Sequence, residues 1–119
     1  MDKGILFIMS GPSGTGKGTI CKELLKREKM FLSVSNTTRE IRLGETDGIT
    51  YNYVSVPEFE KEIEHDGFLE YAKYGANYYG TPKRPVETRI NNGENVLLEI
   101  EPQGALKVKA QMPEAVMIF

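Results

Sequence analysis

A glycine-rich segment near the start of the chain contains the residue types that bind phosphate groups. Glycines allow successive backbone N–H groups to approach phosphate oxygens closely, and a lysine supplies a positive charge for the β- and γ-phosphates. Positions 11–17 match the G-x-x-x-x-G-K core of the phosphate-binding loop. The predicted nucleotide-contacting residues are Gly11, Pro12, Ser13, Gly14, Thr15, Gly16, Lys17, Gly18 and Thr19.

The residue after the lysine departs from the strict form of this motif. A Ser or Thr is expected there because its hydroxyl helps to hold Mg²⁺. Gly18 occupies that position instead, and Thr19 follows it. We therefore predict that Mg²⁺ is held mainly through water and the nucleotide phosphates, and we assign no protein side chain as a metal ligand.

The elements on either side of the glycine-rich segment support a ligand-binding role. Ile5–Met9 is a short apolar run that predicts a buried strand. After the loop, Ile20, Leu24 and Leu25 recur at helical spacing. A strand, a glycine loop and a helix in immediate succession argue against the alternative, a glycine-rich turn that binds nothing.

A second set of polar residues predicts another anion site. Arg39 and Arg42 lie three residues apart in a polar segment, and arginine forks bind phosphate oxygens through two hydrogen bonds. All six tyrosines lie between Tyr51 and Tyr79, and a phenol can both pack and donate a hydrogen bond. The alternatives are an ordinary charged surface for the arginines and packing roles for the tyrosines. We accept a packing role for four tyrosines: Tyr53, Tyr71, Tyr74 and Tyr78.

Composition places the chain among ordinary globular proteins. It has 119 residues, of which 39% are hydrophobic and 27% are charged, and its formal net charge is −2. That charge argues against a general nucleic-acid-binding surface, and no apolar run approaches the roughly 18 residues of a membrane span. The single cysteine, Cys21, excludes an internal disulfide. We expect a cytoplasmic protein that binds neither nucleic acid nor membrane, and its oligomeric state is not predicted.

The order of elements is typical of an α/β fold with a parallel sheet flanked by helices. The expected buried strands are Ile5–Met9, Val96–Ile100 and Val116–Phe119. The expected helices are Pro57–His65, Pro85–Asn91 and Ala105–Met112. Short strands are expected within 31–56, and antiparallel strands over Phe68–Tyr79. We predict one domain, 1–119, in which 1–30 and 96–119 form the core and 31–95 form a small mixed α+β lobe.

Four segments in order resemble the amino-terminal part of the guanylate kinase family, whose members phosphorylate GMP with ATP. The matching segments are Gly11–Thr19, Ser33–Tyr53, Phe68–Pro82 and Leu97–Ala105. The resemblance implies the fold of the phosphate-loop nucleoside-monophosphate kinases, with residues 31–95 as the GMP-binding lobe. It also implies ATP and Mg²⁺ as donor and cofactor, GMP as acceptor, and a role in purine nucleotide metabolism.

The resemblance implies roles for individual residues. The implied phosphate-binding residues are Arg39, Arg42, Tyr51 and Tyr79, and the implied guanine-binding residues are Ser35, Glu70 and Thr81. The remaining implied substrate-binding residues are Glu99 and Glu101, which match an acidic pair after the second core strand. The family more often has Asp at the second of these positions. Lys17, Arg39 and Arg42 are the implied catalytic residues.

The chemistry of guanine independently favours Glu70 as the base-selecting residue. Guanine presents N1–H and the N2 amino group side by side, and one carboxylate can accept hydrogen bonds from both. Adenine has a bare N1 acceptor there, which would face a carboxylate with no proton to donate. Without the resemblance, an ordinary surface glutamate is the default interpretation.

Two other functions remain as alternatives. One is a non-catalytic guanylate-kinase-like module that binds proteins, although such modules usually lack the residues equivalent to Lys17, Arg39 and Arg42. The other is a kinase for a different nucleoside monophosphate. The family's chains continue beyond this length with a lid that carries further arginines, so we expect weak or no kinase activity from 119 residues alone.

Overall fold

The computed structural model describes residues 3–10 and 30–118. The predicted phosphate loop and the helix after it lie outside the described residues, as does Cys21. The chain divides into two compact units. The first comprises Met1–Ser33 and Pro85–Phe119, and the second comprises Val34–Arg84.

The first unit is built on a parallel sheet, as the sequence predicts. Its strands are β1 (Leu6–Ser10), β2 (Phe31–Leu32), β7 (Val96–Ile100) and β8 (Val116–Ile118). They lie in the order β2-β7-β1-β8, and every neighbouring pair is parallel. Among the described residues, its helices are α2 (Lys83–Asn91), which begins in the second unit, and α3 (Pro102–Gln111). The α/β class is therefore confirmed.

The central strands of this sheet form the core of the first unit. Val96, Leu97 and Leu98 are almost completely buried, which explains why the sequence shows a continuous apolar run rather than alternation. Leu6 and Ile8 of β1 are buried beside them. Parallel strands end at the same edge of a sheet. Ser10 at the end of β1 therefore lies beside Ile100 at the end of β7, with which it is paired in register.

Two helices begin two or three residues earlier than the sequence predicts. α3 begins at Pro102 rather than Ala105, because proline fits the first turn of a helix, where its missing N–H is not needed. α2 begins at Lys83 rather than Pro85. Val86 and Ile90, which the sequence predicts on one side of α2, are buried. The sequence also predicts Leu106 and Ala110 on one face of α3, but both are exposed, and the buried residues of that helix are Gly104, Ala105 and Val108.

The second unit is a mixed sheet with one helix packed on it. Its elements are β3 (Asn36–Thr37), β4 (Asn52–Tyr53), α1 (Val56–Glu64), β5 (Phe68–Tyr74) and β6 (Asn77–Pro82). The strand order is β4-β3-β6-β5, with β3 and β4 parallel and the other pairs antiparallel. The predicted mixed α+β insert and the antiparallel strand pair are thus present.

Aromatic stacking packs α1 against the sheet. Phe59, which is fully buried, stacks on Phe68 with ring centroids 4.4 Å apart and on Tyr78 with centroids 4.9 Å apart. Ser55 starts the helix with a capping box, in which its hydroxyl accepts from the Glu58 N–H and the Glu58 side chain accepts from the Ser55 N–H. Gly80 lies beneath the rings and leaves room for them.

The helix covers one face of this sheet, and the residues on the other face are set by strand alternation. Successive side chains point to opposite faces, and directly paired residues point to the same face. Tyr78 and Gly80 contact Phe59 on the helix side. Tyr79 and Thr81 therefore point away from the helix. Thr37 and Glu70, which are paired with them, share that face.

Over residues 3–10 and 30–118, no helix has the length and apolar character needed to cross a membrane.

Candidate functional site

Arg39 is the centre of a cluster on the helix-free face of the second unit. Its Nη1 and Nη2 donate to the two carboxylate oxygens of Glu45, both at 2.9 Å. The guanidinium carbon lies 5.4 Å from the ring centre of Tyr51 and 6.0 Å from that of Tyr53. Arg39 is thus held by a two-point ion pair and by cation–π contacts.

Glu45 is a member of this cluster that sequence reasoning missed. Besides the two bonds from Arg39, its carboxylate accepts the backbone N–H of Arg42 at 2.8 Å. The hydrogen bond from Arg39, followed by that from the Arg42 N–H, lowers the pKa of Glu45 to about 2. The sequence signal that could have identified Glu45 is its position three residues after Arg42 and six after Arg39, next to a glycine. Gly44 does adopt the left-handed conformation there, with φ of 87°.

Two tyrosines, Tyr51 and Tyr79, lie beside Arg39. Tyr51 and Tyr79 make an edge-to-face contact with ring centroids 5.9 Å apart. The pKa of Arg39 is raised, chiefly by Glu45 and also by the Tyr79 hydroxyl, while burial raises the pKa of Tyr51. The Tyr51 phenol is therefore protonated at neutral pH and can donate a hydrogen bond to an anion.

The tyrosines interpreted as packing residues divide between the two faces. Tyr78 packs on α1 as predicted. Tyr53 and Tyr74 have a packing role as well, but their ring partners belong to the site: Tyr53 contacts Tyr51, and Tyr74 contacts Tyr79.

Arg42 differs from Arg39 in its surroundings. Arg42 is exposed. Within the part of the chain that the structure describes, its guanidinium makes no hydrogen bond or ion pair. Its backbone N–H is nevertheless fixed by Glu45. The loop therefore contains one arginine, Arg39, that is already ion-paired, and another, Arg42, whose guanidinium is available to a ligand.

Glu70 and Thr81 form a second polar group on the same face. The fully buried Thr81 hydroxyl donates to Glu70 Oε1 at 2.9 Å, and the two residues are paired in the β5–β6 ladder. Thr81 follows Tyr79 by two residues, which is about 7 Å along a strand. Ser35 precedes Thr37 by two residues and is half-buried, and its carbonyl accepts the Asn52 N–H at 2.8 Å.

The structure therefore collects the predicted acceptor residues in one unit. Those residues are Ser35, Arg39, Arg42, Tyr51, Glu70, Tyr79 and Thr81. The predicted acidic pair lies in the other unit, at the carboxyl end of β7. Glu99 and Glu101 are both exposed, and Glu101 is the N-cap residue of α3 but its side chain makes no capping bond. Lys17 and the rest of Gly11–Thr19 lie outside the described residues.

The carboxyl edge of the parallel sheet carries one further polar group. Ser10 ends β1 and is buried, and its Oγ has no hydrogen-bond partner among the residues that the structure describes. Across those same residues, no group of three or more His, Cys, Asp or Glu side chains could hold a metal ion by itself.

Comparison with known proteins identifies the family. The family model described as guanylate kinase matches residues 3–119. The guanylate kinase of Clostridium acetobutylicum is 59% identical over 117 residues, which cover 98% of this chain and 56% of that protein. A guanylate kinase of Thermus thermophilus is 55% identical over 117 residues, which cover 98% of this chain and 53% of that protein.

A solved structure agrees with these sequence matches. The crystal structure of guanylate kinase from Anaplasma phagocytophilum superposes with a TM-score of 0.81 at 33% sequence identity, covering all of this chain and 60% of that one. The chain spans about half the length of the curated relatives it matches. By the family model, the sequence relatives and the shared fold, the chain belongs to the guanylate kinase family.

Proposed function

We propose that the protein transfers the γ-phosphoryl group of ATP to GMP, giving ADP and GDP in purine nucleotide metabolism. One observation carries the proposal. The arginine–tyrosine cluster and the Glu70–Thr81 pair share one face of one sheet, about two strand residues apart. That spacing suits a ligand with a phosphate at one end and a hydrogen-bonding base at the other. Relatives that carry the name guanylate kinase give further support.

The acceptor phosphate is assigned to Arg39, Arg42, Tyr51 and Tyr79. A guanidinium has five N–H donors, and Glu45 together with the Glu40 carbonyl uses three of those of Arg39. The remaining donors are available to a phosphate oxygen, as is the whole guanidinium of Arg42. We place this GMP-binding role in the lobe expected over 31–95, within which the unit Val34–Arg84 contains the residues named here.

The guanine base is assigned to Glu70, with Thr81 and Ser35 beside it. The Thr81 hydroxyl orients the carboxylate, which can then accept from guanine N1–H and N2–H₂. Adenine would leave the carboxylate facing an acceptor. An unpaired buried polar group costs about 1–3 kcal/mol, so this arrangement favours guanine by about 5-fold to 150-fold.

The donor nucleotide is assigned to Lys17 and the backbone N–H groups of Gly11–Thr19. Mg²⁺ bound to the ATP phosphates supplies charge neutralisation in reactions of this class. The donor set fits that mode of binding, because Mg²⁺ is commonly held by one or two carboxylates together with substrate phosphates. Glu99 and Glu101 are assigned to substrate binding and would reach Mg²⁺ only through water, and neither is assigned as a direct metal ligand.

The proposed chemistry needs alignment rather than a catalytic base. The nucleophile is an oxygen of the GMP phosphate, which is already anionic, so no proton has to be removed. Lys17 and the loop N–H groups stabilise charge on the transferred group, and Arg39 and Arg42 reduce the repulsion between the two anionic substrates. A cytoplasmic location, where ATP and GMP are available, accords with this reaction.

Calorimetry and a coupled ADP-release assay test the proposal. We expect this chain to bind GMP more tightly than AMP. Because weak or no transfer is expected from the 119 residues alone, the ADP-release assay uses a chain of the relatives' full length, which should form ADP from ATP only when GMP is present. Glu70→Gln should reduce the preference for GMP at least about 5-fold, whereas the exposed control Glu87→Gln should leave it unchanged. Arg39→Ala should weaken GMP binding.

Three outcomes would contradict parts of this assignment. Absence of GMP binding would remove the acceptor site altogether. Equal affinities for GMP and AMP in the parent protein would remove the guanine assignment. GMP binding without any phosphoryl transfer, in a chain of the relatives' full length, would favour the alternative of a non-catalytic binding module.

A further inference from the structure

Strand β3 ends in two adjacent threonines whose hydroxyls both bind main-chain groups. The Thr37 hydroxyl donates to the carbonyl of Tyr78 at 2.9 Å and accepts the backbone N–H of Arg39 at 3.2 Å. The Thr38 hydroxyl accepts the backbone N–H of Tyr78 at 2.9 Å. Both side chains therefore act on the backbone where the chain leaves the sheet.

The Thr38 bond replaces a regular bond of the β-ladder. Thr37 is paired with Tyr79, so Thr38 faces Tyr78 in the antiparallel register. The Thr38 N–H still donates to the Tyr78 carbonyl at 3.2 Å, as in a regular ladder. The reciprocal Tyr78 N–H goes to the Thr38 hydroxyl, where a regular ladder would use the Thr38 carbonyl. The backbone can thus turn away from β6 immediately before Arg39 without leaving that N–H unpaired.

Tyr78, whose backbone groups bind the two threonine hydroxyls, is itself held in place. Tyr78 stacks on Phe59 at 4.9 Å, and its hydroxyl donates to Glu60 at 3.4 Å. The next residue, Tyr79, points to the opposite face and contacts Tyr51. The Tyr78 peptide therefore links the packed aromatic layer to the anion-binding face.

We propose that Thr37 and Thr38 are positioning residues that set Arg39 against Tyr79 before the acceptor phosphate arrives. The inference rests on the proposed function, because it takes Arg39 as a phosphate-binding residue. The Thr37 hydroxyl joins the Arg39 N–H to the Tyr78 carbonyl, so a single buried atom determines the spacing between two phosphate-binding groups. Arrangement of this kind before binding raises affinity because less freedom is lost on binding.

Conservative substitutions in the full protein test this role. Thr37→Val removes the hydroxyl and keeps the branched shape, and we expect the Kd for GMP to rise about 3-fold to 10-fold, the range for one lost hydrogen bond. Thr37→Ser keeps the hydroxyl, and its Kd should stay within about 2-fold of the parent value. The control Thr88→Val removes a hydroxyl from an exposed helix position and should change nothing.

A double-mutant cycle separates positioning from general destabilisation. If Thr37 acts through Arg39, then Thr37→Val should weaken GMP binding much less when Arg39 is already Ala. Equal losses in the two backgrounds would overturn the proposal, as would a Thr37→Val variant that folds and binds GMP like the parent. Should Thr37→Val fail to fold, Thr38→Val takes its place in the same cycle with the same expected and contrary results.

The cycle also distinguishes this proposal from the proposed function. If Arg39→Ala leaves GMP binding unchanged, the phosphate assignment itself is wrong. If Arg39→Ala weakens binding but Thr37→Val and Thr38→Val do not, only the positioning role is wrong.

Discussion

Gly80→Ala is expected to destabilise the second unit by overpacking. A methyl group on Gly80 would lie 2.9 Å from Phe59 Cζ, 2.9 Å from Phe68 Cδ1 and 3.1 Å from Phe68 Cε1. Carbon atoms prefer separations of about 3.5–4.0 Å, so two stacked rings would have to move by about half an ångström or more. Overpacking of this kind costs about 1–3 kcal/mol, and Phe59, being fully buried, has little room to move.

Thermal and urea unfolding measure this loss. Each kcal/mol should lower the Tm by about 2–8 °C, depending on the size of the cooperative unit. Phe59→Leu provides the diagnostic partner because it removes the ring atom nearest the new methyl group. The double variant should lose less stability than the sum of the two single variants, with a coupling of about 0.5–3 kcal/mol. Additive losses, or a Gly80→Ala variant as stable as the parent, would refute the packing argument.

Three further predictions concern other parts of the chain. Gly4→Ala should destabilise the first unit, because a methyl group there would collide with the main-chain carbonyl of Glu94; calorimetric unfolding that matches the parent would contradict this. Ser55→Ala should cost about 1 kcal/mol in urea unfolding by removing the helix cap, and Ser55→Asp should restore most of it. Glu45 has its pKa lowered from 4.5 to about 2, so its contribution to stability is complete above about pH 5 and is lost as the pH falls towards 2. The Tm difference between the parent and Glu45→Gln should therefore shrink over that range, and a constant difference would show that the Arg39 pair contributes nothing through its charge.

Much of the fold was predictable because its signals are local. The run Val96–Leu98 is apolar without alternation, which is typical of a strand covered on both faces. The paired apolar residues Val86 and Ile90 likewise predicted the buried side of α2. Such patterns can be recognised without knowing which elements the strand or helix packs against.

Other features could not be read in this way because they depend on residues distant in sequence. β3 is only Asn36–Thr37, a polar pair whose strand conformation comes from its neighbours β4 and β6. Glu45 looks like a surface charge until the turn at Gly44 brings it onto Arg39. The aromatic and arginine residues of the site were predicted by type and by family resemblance, whereas the carboxylate that holds them was not.

The ion pair between Arg39 and Glu45 has a consequence for competition among anions. The fork of this arginine already holds an internal carboxylate, so a small free anion such as orthophosphate must compete with a group that never leaves by diffusion. Under the proposed function, a nucleotide would have a second attachment at Glu70 and Thr81 and would not depend on that fork alone. On that proposal, the internal carboxylate would favour ligands long enough to reach both groups over small inorganic ions that compete for the Arg39 fork.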